Sequence, residues 1–294
     1  MNEGPQKKTV YLEEVLSGLI SSDRDRFKQA LISAGSLIME DLAELDIHLE
    51  SLAKIFLVLE NKFNVAGFED FRFVSLVNLT VLRPEPMITI LTDRIKSNFT
   101  VGDIILVMDV VKEASKRLAN SGQEVKITGK KIESKYKVIH DRLEKKTKRF
   151  FNKTKKIKKT TKNLFLPYFP LFCGKILEKV DWKVGFMGLS KIFYTLSELI
   201  DKTGGTCDYR VVQQCVFIIK NIVKVFISHE KREVVEAVIY LLINISYKLD
   251  GSSLLSEFDS VLADLSEIAG KLESVCPELQ DLATKAYLLI AYHE

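Results

Sequence analysis

The chain has 294 residues, 47% apolar and 28% charged, with 43 basic against 39 acidic side chains for a net charge of +4. A chain of this length buries about 75% of the surface its unfolded form exposes, so a large core is expected to hold without disulfide or metal staples. With 14 Gly and 6 Pro at this apolar content, collagen-like and disordered compositions are excluded. From the N-terminus onward, no apolar run follows Lys7 and Lys8. Neither a signal peptide nor an acyl anchor is therefore expected, and the chain reads as cytoplasmic and nuclear. Ser22 and Asp25 are spaced as an acidic variant of a capping box that opens the second helix. Leu42, Leu45, Leu49, Leu52, Phe56 and Leu59 then form a stripe with steps of three and four, the mark of an amphipathic helix.

Between Lys126 and Lys162 the character of the chain changes. This segment holds 16 Lys or Arg against Glu133, Asp141 and Glu144, a net +13, which leaves −9 for the remainder of a chain whose total is +4. Its centre carries Lys145, Lys146, Lys148, Arg149, Lys153, Lys155, Lys156, Lys158 and Lys159, with Phe150 and Phe151 among them. Such a run cannot bury its charges and is expected to be a flexible insert. Three readings of it stay open. It can be merely solvated. It can serve nuclear import or bind nucleic acid, releasing phosphate counterions and stacking a Phe on a base. It can also dock on an acidic protein surface, including the −9 body of its own chain.

Beyond the insert, the stretches 211–227 and 234–247 are apolar around most of a helical circumference. Lys220 and Lys224 interrupt the first, and the second is shorter than the ~20 residues of a membrane span, so both are expected as core helices. Asp250, Gly251, Ser252 and Ser253 suit the end of one helix and the cap of the next. The last helix is expected after Pro277, with Leu279, Leu282, Ala283, Ala286, Leu289 and Ile290 on one face. No stretch alternates like a strand. Antiparallel pairs beginning near Lys8, Leu42, Pro86, Asn163, Cys207 and Ser253 are spaced, with the insert set aside, near the ~40–47-residue period of HEAT and armadillo repeats. The expected fold is thus all-α, a HEAT-like α-solenoid of antiparallel helix pairs. It divides into a helical-repeat block over 1–125, the basic insert over 126–162 and a second block over 163–294.

No catalytic constellation is visible. His48, His140, His229 and His293 stand in separate segments, and Cys173, Cys207, Cys215 and Cys276 lack zinc or redox spacing and are expected as reduced, mostly buried thiols. Gly204 and Gly205 follow no strand and read as an interhelical turn, while Gly129 and Lys130 lack the preceding glycine of a phosphate loop. The chain is expected not to be an enzyme and to need no cofactor.

The segment from Leu52 to Leu118 resembles the signature region of the telomere length regulation proteins, subunits of the Triple-T co-chaperone complex. The resemblance lies in Val65, Ala66, Gly67 and Phe68 entering a helix, in the Pro86 helix ending near Phe99, and in the run from Ile105 to Val111 leading into Glu113, Ala114 and Ser115. Val10, Tyr11 and Leu12 resemble the family's entry to this region. Leu164 to Tyr168 is similar to the motif that opens its last helical block. Val101, Gly102 and Asp103 depart from it, as do Phe169 and Pro170. The family's long N-terminal solenoid and acidic serine-rich linker have no counterpart before Leu12. The chain is accordingly expected to be a C-terminal fragment or a shortened member, and the phospho-dependent link to the chaperone carries to no residue here. The resemblance implies a helical-repeat adaptor in heat shock protein 90-dependent maturation of phosphatidylinositol-3-kinase-related kinases, with telomere and DNA-damage signalling downstream. It also implies partners: the other Triple-T subunits, those kinases and, indirectly, the chaperone machinery, with no membrane. The alternative is a nucleic-acid-associated α-solenoid that binds weakly through the insert.

Overall fold

The computed structural model describes residues 11–40, 42–95, 100–120, 163–180, 185–204, 208, 210–215, 217–218, 232–246 and 284. Among them the secondary structure is helical throughout, with no strand. The first six helices are α1 (Leu12–Leu19), α2 (Arg24–Glu40), α3 (Leu42–Val58), α4 (Phe68–Leu82), α5 (Pro84–Arg94) and α6 (Val101–Asn120). Then come α7 (Phe169–Leu177), α8 (Gly185–Asp201) and α9 (Arg232–Ser246).

Their packing makes two layers. Each odd-numbered helix from α1 to α7 packs on its successor, and α1, α3, α5 and α7 also pack in sequence as one layer. The second layer is α2, α4, α6 and α8, extended by α9 against α8. Residues 210–215 and 217–218 are helical and lie beside α7, with Arg210, Gln213 and Phe217 facing Gly174 and Leu177 across a groove. This is the all-α stack of helix pairs that the repeat spacing predicts, with pairs opening at Leu12, Leu42, Pro84, Phe169 and near Arg210. The pair expected near Ser253 lies outside the described residues, as does the helix expected after Pro277 apart from Thr284.

Local chemistry explains the turns. At the start of α2 the cap is Asp23, whose Oδ1 accepts from the backbone N–H groups of Asp25 (2.9 Å) and Arg26 (2.8 Å). This corrects the expected Ser22–Asp25 box by one residue: the carboxylate reaches two orphan amides at once, which a serine hydroxyl one position earlier does not. Between α3 and α4, Gly67 adopts φ +75°, a left-handed conformation that glycine enters without a Cβ penalty. Arg72 closes the same corner, donating from Nε to the Phe56 carbonyl (2.6 Å) and from Nη2 to the Leu57 carbonyl (2.7 Å) at the end of α3. Burial lowers its pKa from the usual arginine range. The helix expected at Pro86 begins at Pro84, where a missing N–H costs nothing, and ends at Arg94 rather than near Phe99.

One hydrophobic core runs from Leu12 to Ile245 and draws on both sides of the basic segment. In the first pairs Phe27 packs edge-on against Phe63 at 5.3 Å and stacks with Phe68 at 6.4 Å. After the segment, the chain re-enters through a turn whose Phe165 is fully buried edge-on against Phe169 (6.0 Å) and Phe172 (5.5 Å). Burying one such side chain contributes about 1.5–3 kcal/mol, and it anchors the motif that resembles the family's last helical block. Along α9, Val234, Val235, Ala237, Val238, Ile239, Leu241, Leu242 and Ile245 are buried, the nearly all-round apolar helix expected of an inner layer.

Candidate interaction surface

Among the described residues no group of three His, Cys, Asp or Glu side chains is placed to hold a metal ion. His48 is half-buried on α3, and Cys173 and Cys215 are buried. The other histidines and cysteines lie outside the described residues. Gly204, at φ +68°, follows the end of α8 and serves as the expected turn residue. No described helix is long and apolar enough to cross a membrane.

The nine basic residues from Lys145 to Lys159 all fall outside the described residues. What the structure places is the point from which they depart. The chain leaves α6 at Asn120 and resumes at Asn163, where the Leu164 N–H donates to the Leu118 carbonyl at 3.2 Å. Asn163 Nδ2 donates to the Lys202 carbonyl at 2.8 Å, fixing this junction against the end of α8. The end of α6 and the chain at Leu164 thus meet at one spot on the stack, and α5–α7 and α6–α8 pack directly across it.

Polar groups set the register along the second layer. Asn78 of α4 donates to the Gly35 carbonyl of α2 at 2.8 Å and accepts from Arg117 Nη1 of α6 at 2.9 Å. Between α6 and α8, Lys191 pairs with Asp109 at 2.6 Å, and Lys112 pairs with Glu198. Between α8 and α9, Ser197 Oγ donates to the Tyr240 carbonyl at 3.2 Å while Asn244 Nδ2 donates to Ser197. Tyr194 packs on Tyr240 with ring centroids 5.7 Å apart, and desolvation, reinforced by Glu236, pushes its pKa up to about 12. In the first layer, Lys179, 3% exposed at its side chain, pairs with Asp93 at 2.9 Å and ties α7 to α5.

Two grooves open on the outside of the stack. One, of about 590 Å³, lies between α7 and residues 210–215 and 217–218 and includes Leu177, Phe217 and Ile218. The other, of about 480 Å³, lies between α4 and α6. Its floor is apolar, from Phe73, Ile105 and Leu106, and Glu69, Asp70, Asp109 and Glu113 edge it. The sequence pattern marks these residues only as the polar sides of two helices. Their convergence depends on which helices become neighbours, and the one local signal is that α4 and α6 each interleave acids with apolar residues on the outward face.

Residues 9–115 match the family model described as telomere length regulation protein, a span that holds α1 to α5 and most of α6. The chain is 30% identical over 115 residues to the Telomere length regulation protein TEL2 homolog of Xenopus tropicalis, an alignment covering 38% of this chain and 14% of that protein. A crystal structure of an engineered protein covers 96% of both chains at 14% identity, with a TM-score of 0.36, a likeness too loose to bear on the fold. Over residues 9–115, the chain is thus similar to the telomere length regulation proteins, and it spans about a seventh of the length of the relative it matches.

Proposed function

We propose that this chain is a non-catalytic helical-repeat adaptor of a co-chaperone complex, assisting heat shock protein 90-dependent maturation and stability of phosphatidylinositol-3-kinase-related kinases. The family match over residues 9–115 carries the reading. The stack supports it physically, because paired helices in two layers offer long outer faces for large partners and need no enclosed pocket. Its partners are the other helical-repeat subunits of the Triple-T complex and the kinases, with the chaperone reached indirectly, in the cytoplasm and nucleus. A second reading, a nucleic-acid-associated solenoid, is favoured by the +13 segment alone.

Affinity purification of the tagged chain with mass spectrometry separates them. The adaptor reading expects helical-repeat subunits and kinases to co-purify at physiological salt. Recovery of nucleic acid with none of these proteins would replace it by the second reading.

A further inference from the structure

The groove between α4 and α6 has an uneven electrostatic character. On its α6 side the charges are answered from within the stack: Asp109 by Lys191 (2.6 Å), Lys112 by Glu198, and Glu113 by Arg117 (3.1 Å). On its α4 side they are answered only in part. Glu69 meets Arg72 Nη1 at 3.6 Å, while the Nε and Nη2 of that arginine are committed to the Phe56 and Leu57 carbonyls. Among the described residues no cation pairs with Asp70. Between the two sides lies the apolar floor, where Ile105 is 36% exposed.

An apolar floor with negative charge along one rim selects its occupant. Phosphate backbones and anionic lipid surfaces are repelled by the rim. A small polar ligand finds no enclosure in so open a groove. We infer that the groove receives one amphipathic helix of a partner protein, with apolar side chains at i, i+3 or i+4, and i+7 against Phe73, Ile105 and Leu106, and Lys or Arg on the flank facing Glu69 and Asp70. This assignment rests on the adaptor reading and gives it a contact site. Every residue that lines the groove falls within the matched span 9–115.

The test uses the full chain at physiological salt and two dye-labelled synthetic helical peptides of heptad pattern, one of Leu and Lys, the other of Leu and Glu. The Leu–Lys peptide is expected to bind better. Ile105→Asp should weaken it at least tenfold, and Glu69→Lys combined with Asp70→Lys should do the same while reversing the preference toward the Leu–Glu peptide. Ile47→Asp, at a position 76% exposed on α3, should leave binding unchanged. Helical circular dichroism confirms that each variant is folded. Equal affinity for both peptides, or equal affinity across all variants, overturns the proposal. So does tenfold tighter binding when residues 121–162 are replaced by a short linker, because the chain's own basic segment would then be the occupant. Self-association abolished by Ile105→Asp would assign the groove to a second copy and overturn it likewise. Failure of the co-purification with the peptide pattern intact would remove the adaptor reading and leave the groove standing; uniform peptide binding with the partners recovered would do the reverse.

Discussion

At Gly18 the backbone of α1 lies against α2, and a Cβ built there meets the Ala30 Cβ at 2.6 Å and the Arg26 carbonyl at 3.2 Å. Neither atom is the end of a flexible side chain, so the two helices must separate to admit a methyl group. Two effects oppose each other in Gly18→Ala. Alanine's helix propensity favours the variant by up to about 1 kcal/mol, whereas overpacking a closed seam costs about 1–3 kcal/mol. The steric term wins, and the urea midpoint is expected to fall by the equivalent of about 1 kcal/mol. Adding Ala30→Gly should recover part of the loss, since it removes the atom that is struck. A midpoint that rises for Gly18→Ala alone would show that propensity dominates and that α1 is free to shift.

The helices themselves were legible where one face decides them. Leu45, Leu49, Leu52 and Phe56 of the α3 stripe are all buried, because a period of 3.6 needs no knowledge of the partner helix. Their ends were less so. Ser22 and Asp23 are both good caps, and only the reach of the carboxylate decides between them. The start of α6, where Val101, Gly102 and Asp103 depart from the family pattern, conceals a capping box. Thr100 N–H donates to Asp103 Oδ2 at 2.9 Å, and Asp103 N–H donates to Thr100 Oγ1 at 3.2 Å. The seams between helices were not legible at all, since Asn78 meets Gly35 and Arg117 at separations of 43 and 39 residues. Asn78 is 6% exposed, so its two bonds are formed away from water. Asn78→Ala is expected to lower stability by about 1–3 kcal/mol, through two lost hydrogen bonds and a small void. Hydrogen exchange should report the loss in α2, α4 and α6 together. A loss confined to α4 would mean that the seam does not couple these helices.

For the whole molecule, the repeat spacing anticipated the stack because each pair of helices must bury its face on the next, which fixes a nearly constant length per unit. It left open how the basic segment sits in that stack. The Leu164–Leu118 contact at 3.2 Å and the direct packing of α7 on α5 and of α8 on α6 show that the layers continue across it. Replacing residues 121–162 with a short Gly/Ser linker is therefore expected to leave the melting temperature within about 4 °C of the intact chain, since closing a loop costs only about 0.6 kcal/mol per doubling of its length. The same replacement removes a net +12 and leaves a chain of net −8. If the segment engages about six phosphates of duplex DNA, binding by the intact chain should fall with salt at a log–log slope near −5, from roughly −0.9 per phosphate, and should vanish in the shortened chain. Protein partners held on the helical faces should co-purify with both forms at physiological salt. Shortening that unfolds the protein would show that the stack depends on the segment. Shortening that preserves the fold but releases every partner would move the adaptor's contacts from the helical faces to Lys145–Lys159, the one arrangement in which the basic run acts as the recognition element.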